Sequence, residues 1–259
     1  MQKKPTVERS ALTSLIGPFS LLLLWWWGSS RGLWSPFIIP SPEETAKTLL
    51  SMLSDGSLLE HVTFSLKRIL NGFLLASMLA IPAGILSGMS RGFQSHFSST
   101  VGFLNHVPPL ALFPLLMLWF GIGEASKTGI IFLASFFPIY LNSLEGVLTV
   151  NHSLIDAARS CGASLRRVFI HVILPCAIPG IATGMRLGLS YGWRSLVGAE
   201  LVASSSGLGF LLNKAEVFAR PDLMMATLIT MGALGMFLDK TMYFLTMGKT
   251  SYIARIRRR

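Results

Sequence analysis

Charge is what this sequence has least of. Only 13% of its 259 residues are Asp, Glu, Lys or Arg, about half the share of a soluble domain. So few charges cannot cover a water-facing surface of this size, which excludes a soluble globular protein and implies a lipid-facing one. Cysteine is nearly as scarce. Cys161 and Cys176 are the only two, and no Cys-x-x-Cys occurs. The five histidines, His61, His96, His106, His152 and His171, are scattered, so no metal site is expected. No phosphate loop is present either. Gly248-Lys249-Thr250 looks like the end of one, but Tyr243 stands where the motif needs a glycine. No catalytic groups cluster within an apolar run, so no catalytic residue is assigned and no covalent chemistry is expected.

What the chain has instead is apolar sequence: 51% hydrophobic residues and a mean hydropathy of +0.58. About 20 apolar residues in a helix cross the ~30 Å hydrocarbon core of a bilayer. Six runs meet that requirement, at 11–28, 69–88, 101–120, 128–148, 180–203 and 223–245. The expected fold is therefore all-α and polytopic, a single membrane domain over 1–259 with core spans across 69–245. Pro82, Pro108, Pro109, Pro114 and Pro138 lie in or near these runs, and membrane helices tolerate them where neighbours satisfy the freed backbone groups. The first run could be read as a signal peptide, with Lys3, Lys4 and Arg9 as its charged start. Its length and the belt Trp25-Trp26-Trp27 favour a retained span.

The net charge of +10 marks orientation rather than nucleic-acid binding. Six spans place both termini on one side. That side holds Lys3, Lys4, Arg9, Arg91, Arg159, Arg166, Arg167, Lys249, Arg255, Arg257, Arg258 and Arg259. The opposite loops hold Arg31, Lys47, Lys214 and Arg220, with Lys67, Arg68 and Lys127 at helix ends. The richer side, with both termini, is expected in the cytoplasm. Lys67 and Arg68 fit least well, and snorkelling to the outer headgroups is the expected reason. The basic C-terminal tail suits lipid headgroups.

The longest connection on that side, 149–179, has a pattern of its own. Asn151 or Ser153 can cap a short helix, and Gly162 can end it in the left-handed conformation. Ser164 can cap a second helix whose Leu165, Val168, Phe169 and Val172 make one apolar stripe. Pro175 and Pro179 are expected to separate this helix from the fifth span. The result is a helix–glycine–helix elbow, a compact ridge able to lie in a groove on a cytoplasmic partner. An ordinary amphipathic connection packed on the chain's own helices would leave the same pattern.

Within the elbow, Asp156-Ala157-Ala158, then Gly162, then Val172-Ile173-Leu174-Pro175 resembles the coupling motif of binding-protein-dependent ABC permeases. That motif reads Glu-Ala-Ala, three residues, Gly, nine residues, Ile-x-Leu-Pro. The spacing agrees at every anchor, with Asp156 for Glu and Val172 for Ile. Val107-Pro108-Pro109-Leu110-Ala111 with Trp119-Phe120-Gly121-Ile122-Gly123, and Ala199-Glu200-Leu201 with Gly207-Leu208-Gly209, resemble the permeases for taurine, aliphatic sulfonates and nitrate. The resemblance covers about 36–245. It implies the type I ABC importer permease fold, in the bacterial inner membrane. It also implies a homodimer with two separate ATPase subunits that use ATP and Mg, a soluble substrate-binding protein outside, and no cofactor on this chain. Asp156, Ala157, Ala158, Gly162, Val172, Leu174 and Pro175 would couple the permease to the ATPase. The implied cargo is a small anion, with a pyrimidine, a vitamin or another small molecule as alternatives. An ion-coupled secondary transporter would need repeated halves with broken helices, and no internal repeat is visible.

Ionisable groups inside spans usually face a cavity or a partner. Arg194 is therefore a candidate for anion contact, or for an ion pair with a glutamate such as Glu200. Glu200, nearer the outer surface, suits a structural or gating role. Asn105, His106, Asn142 and Trp193 are further candidates for the pathway, with helix packing as the plainer role for the polar three.

Overall fold

A computed structural model describes the backbone of residues 7–256 and the side chains of 16–246 apart from Pro18 and Ser98. The basic residues of both ends and Gly248-Lys249-Thr250 lie outside the described side chains. Among the described residues eleven α-helices follow one another: α1 Val7–Ser30, α2 Pro42–Ser54, α3 Ser57–Met89, α4 Arg91–Asn105, α5 Phe113–Phe120, α6 Glu124–Leu148, α7 His152–Ser160, α8 Leu165–Val168, α9 Leu174–Ala203, α10 Leu208–Val217 and α11 Pro221–Ile256. No strand occurs among the described residues. The chain divides into two compact units, one of residues 1–60 and 211–230 and one of 61–210 and 231–259.

In the first unit α2 begins with a capping box. Ser41 Oγ accepts from the Glu44 amide, the Glu44 carboxylate accepts from the Ser41 amide, and Pro42 opens the helix. Trp25 Nε1 donates to the Pro40 carbonyl at 2.9 Å. Thr48 Oγ1 donates to Asp222 Oδ2 at 2.6 Å.

The second unit is organised around α6. Ile130, Ile131, Ile139 and Tyr140 are fully buried on it. Two small-residue stripes let neighbouring backbones approach it closely, as in membrane helix pairs generally. On α3 the stripe is Gly72, Ala76, Ala80, Gly84 and Gly88. A Cβ on Gly84 would lie 2.6 Å from the Tyr140 carbonyl oxygen. On α9 it is Gly180, Gly184, Gly188 and Gly192. A Cβ on Gly180 would lie 2.8 Å from the Gly146 Cα. Spacing of four residues keeps each stripe on one helix face. Ser87 and Tyr140 close the polar part of the α3 contact with a 2.8 Å hydroxyl–hydroxyl bond, and Ser135 Oγ donates to the Gly188 carbonyl at 3.0 Å.

Among the described residues four helices are long and apolar enough to cross a bilayer, α3, α6, α8 with α9, and α11, and the bent pair of α4 with the 3-10 turn and α5 makes a fifth if the pair counts as one broken span rather than a re-entrant loop. The expected first run falls on α1, 24 residues long, which is not among these spans; the other five expected runs fall on the four helices and the bent pair. The bent pair corrects the expected third span. Residues 101–120 do not form one helix. α4 stops at Asn105, Pro109–Leu112 form a 3-10 turn, and α5 leaves at 87°. Pro108 and Pro109 have no N–H to offer, and a residue before proline avoids the helical region. The separation expected at Pro175 and Pro179 also fails. The helix runs unbroken from Leu165 to Ala203, because a π-turn at Phe169–Ile173 widens the turn that Pro175 would otherwise crowd.

A leucine at Gly184 would meet the Pro138 carbonyl oxygen and the Ile139 Cα, each 3.1 Å from its Cβ, and backbone cannot move aside as a side chain can. Gly184→Leu should lower the melting temperature of the purified protein by roughly 5–10 °C, corresponding to about 2–3 kcal/mol of overpacking. Gly102→Ala, with nothing within 4 Å, should leave it unchanged or slightly raised. Equal melting of the two variants would remove the close contact.

Candidate functional site: a coupling elbow and the polar hub at the other end

α6 leads into the elbow and α9 leads out of it. Asn151 caps α7, its Oδ1 accepting from the Ser153 amide at 2.9 Å. Gly162, at φ +78°, ends the helix. Its amide donates to the Arg159 carbonyl at 2.8 Å and the Ala163 amide to the Ala158 carbonyl at 3.1 Å. This is the double bond pattern of a glycine C-cap. Ser164 stands at the start of α8 in extended backbone but makes no side-chain cap bond. Asp156, Ala157 and Gly162 are exposed, Ala158 is half-buried, and Val172, Leu174 and Pro175 sit half-buried where the elbow joins α9. The expected apolar stripe is split. Val168 is buried at 2% exposure while Leu165, at 73%, stands free at the tip, because α8 lasts only one turn before the π-turn rotates the face. Leu154, on α7, is half exposed.

The opposite ends of α6 and α9 meet in a buried ionic hub. Arg68 on α3 is 4% exposed, so it does not snorkel to the headgroups as expected. Its guanidinium grips Glu124 with two 2.7 Å bonds, donates to Glu200 Oε1 at 2.8 Å, and reaches Ser206 through the carbonyl and the hydroxyl at 2.7 and 2.8 Å. All its donor directions are used. Lys127 Nζ lies 3.2 Å from Glu124. Two cations thus balance two carboxylates. Lys67, by contrast, is exposed.

Glu200 is fully buried. Its carboxylate accepts from Ser65 Oγ at 2.9 Å and from the Gly209 amide at 2.9 Å, at the amide-rich start of α10. Ser65 Oγ in turn accepts from the Leu208 amide at 2.9 Å, and His61 Nδ1 from the Gly207 amide at 3.1 Å. Gly207 has φ +104°, and a Cβ there would collide with the Glu200 carboxylate. The Glu200 and Gly207-Leu208-Gly209 signatures are therefore one structure, a carboxylate clasped by a tight loop.

Arg194 and Glu200 do not pair within the chain. Six residues on a helix turn the two side chains about 120° apart, and the partner of Glu200 is Arg68. Arg194 is exposed, with its guanidinium 5.9 Å from the Tyr191 ring centroid. It and the half-buried Trp193 line a cavity between α9 and α11. Asn142 Nδ2 donates to the Pro138 carbonyl on its own helix at 2.8 Å. Asn105 and His106 are exposed at the end of α4. None of these three joins Arg194. Sequence reasoning missed Arg68, Glu124 and Lys127 as a group, although three charges at the ends of apolar runs were the signal.

The profile of the binding-protein-dependent transport system inner membrane components matches residues 80–246. The chain belongs to that family. This permease is 38% identical to the taurine transport system permease protein TauC of Escherichia coli, over 88% of its own length and 85% of TauC's. It is 36% identical to the putative aliphatic sulfonates transport permease protein SsuC of the same organism, over 86% and 84%, and 30% identical to the bicarbonate transport system permease protein CmpB of Synechococcus elongatus, over 88% and 86%. Its fold is that of a solved chain of the inward-facing MetNI methionine ABC transporter. That likeness has a TM-score of 0.67 at 16% identity, over 76% of this permease and 97% of that chain.

Deleting one partner of a buried pair strands the others at a cost of about 3–5 kcal/mol. Arg68→Ala should therefore destabilise the permease most. Glu200→Gln, which keeps an acceptor in place, should cost less, and Glu124→Gln, whose carboxylate is 63% exposed, least. Thermal melting of the three variants in one detergent checks the order, and an Arg68→Ala protein as stable as wild type would dissolve the hub.

Proposed function

We propose that this chain is the membrane-spanning permease of an ATP-driven importer for a small anion of the taurine, sulfonate, nitrate or bicarbonate kind. Two copies form the pathway, a soluble binding protein delivers the cargo from outside, and two separate ATPase chains, using ATP and Mg, drive the cycle from the cytoplasm. The observation that carries this reading is the elbow. It offers an exposed ridge at the shared end of α6 and α9, with Leu165, Leu154 and Asp156 exposed, the carboxylate suited to a basic or amide-rich site on the ATPase. Closure of the ATPases would bring two such elbows together, and the glycine-packed α6–α9 pair would carry the movement along the membrane helices. The names of the curated relatives support a small anion without choosing among them. The excess of basic residues on the elbow side supports a cytoplasmic elbow and cytoplasmic termini.

The elbow carries a native reporter of its side, because Cys161 is exposed on it. In intact cells an impermeant maleimide should leave Cys161 unlabelled, and permeabilisation should expose it. Labelling from outside would reverse the orientation. At Gly162 a β-branched residue is strongly disfavoured at φ +78°. Gly162→Val should insert in the membrane in normal amount yet co-purify with less ATPase, and lose most ATP-dependent uptake. Wild-type uptake in that variant would reject the elbow as the coupling element.

A further inference from the structure

We propose that the cavity between α9 and α11 is a binding site for an organic monoanion with an apolar body, its anionic head on Arg194. The proposal rests on the reading of this chain as a small-anion permease and deepens it, because it selects an alkyl- or aryl-sulfonate-like molecule over an inorganic anion.

The cavity holds about 470 Å³, within the range of small-molecule sites. Two charged residues line it, Arg194 and Asp239. Asp239 is already neutralised, because Arg186 meets it through three contacts of 2.9–3.2 Å and lies 5.0 Å from the Tyr243 ring. Arg194 forms no ion pair and no hydrogen bond among the described residues, and its guanidinium lies 5.9 Å from the Tyr191 ring centroid. An uncompensated cation within a span is costly. The helix ends nine residues on, at Ala203, roughly 13 Å away. The Cα–Cβ bond tilts toward the helix N-terminus, so the side chain leans from that end into the span rather than toward the headgroups.

Two more donors face the same space. Ser190 lies one turn before Arg194 on the same helix face, and its hydroxyl makes no hydrogen bond among the described residues. Trp193 Nε1–H likewise has no acceptor there. It points toward Gly235, where a Cβ would come within 3.0 Å of it, so the missing side chain leaves the indole edge open. Three donors without acceptors, one of them a planar guanidinium fork, match the oxygens of a sulfonate or carboxylate. The one carboxylate in the lining, Asp239, is already paired with Arg186. The remaining wall is aliphatic and thioether: Leu189, Val197, Met231, Met236 and Leu238. A hydrated nitrate or bicarbonate would use the donors and leave that wall wet. An alkyl or aryl body would cover it, and each methylene so buried strengthens binding about fourfold.

The test uses the permease assembled with its ATPase in phosphatidylcholine nanodiscs, with ethane-, butane- and hexanesulfonate and sodium nitrate as probes in equilibrium titration. Affinity should rise several-fold per methylene along the sulfonates, and nitrate should bind far more weakly than hexanesulfonate. Arg194→Gln should lose at least tenfold for hexanesulfonate and Arg194→Lys less, because charge remains without the fork. Trp193→Phe should lose a few-fold. Melting of each unliganded variant confirms that it is assembled, and Arg194→Lys serves if the glutamine variant is not. Equal affinity for nitrate and hexanesulfonate, or hexanesulfonate binding untouched by both Arg194 variants, would overturn the site. So would complete displacement of hexanesulfonate by a modest fraction of phosphatidylglycerol in the disc, which would make Arg194 a lipid anchor. An assembled, transporting complex with any of those outcomes defeats the site alone. Failure of the permease to bring down an ATPase defeats the importer reading instead.

Discussion

Backbone-to-backbone contact along α6 is the constraint on which the rest of this permease depends. Lipid provides no hydrophobic drive for helices to associate, so close packing and a few polar bonds must do it. Gly180, Gly184, Gly188 and Gly192 on one side, and Gly72, Ala76, Ala80, Gly84 and Gly88 on the other, bring main chains near enough for dispersion along the length of the helix. Side chains at these positions would hold the helices apart and leave voids. The contact also fixes mechanics. Interdigitated helices without long side chains between them slide or tilt poorly, so α6 and α9 behave as one rod about 37 Å long.

The two ends of that rod have opposite electrostatic characters. At one end Arg68, Lys127, Glu124 and Glu200 satisfy one another, and the Ser204–Gly209 loop is sewn to α3 by backbone donors. A saturated hub of this kind resists local opening, because any one break strands several partners. At the other end the elbow leaves Asp156, Leu165 and Leu154 exposed. If the elbow receives a push, as proposed, that push would meet a rod and a closed far end, and the helix pair would be displaced as a body rather than dissipating the motion in its own connections.

The architecture was legible because its causes are local. Low charge density and six apolar runs specify a membrane bundle. The left-handed Gly162 follows from a helix pattern that stops at a glycine, and Asn151 capping from side-chain chemistry. The small-residue stripes, every fourth position from Gly72 to Gly88 and from Gly180 to Gly192, stand in the sequence too but were not read from it. What failed to show in the sequence depended on three-dimensional compensation. Arg68 looks like a surface residue until Glu124 and Glu200, 56 and 132 positions away, are seen to surround it. Pro175 looks like a helix breaker until a π-turn relieves it. Pro108-Pro109 looks like a tolerated kink and instead turns the chain through 87°.

Arg68 and Arg194 show the same side chain under opposite conditions, and the contrast decides what each does. Both lie within apolar helices, where an isolated guanidinium is unfavourable. Arg68 spends every donor on protein acceptors and is almost fully buried, so nothing remains for a ligand and its contribution is to shape. Arg194 faces a cavity whose other ion pair is closed on itself, beside a hydroxyl and an indole N–H that also lack acceptors. Its donors are matched by no acceptor among the described residues. In the proposed site the head of a passing anion supplies the missing charge. The donors and the aliphatic wall together describe that visitor better than either does alone, since the guanidinium sets its sign and the methionines and leucines set its body.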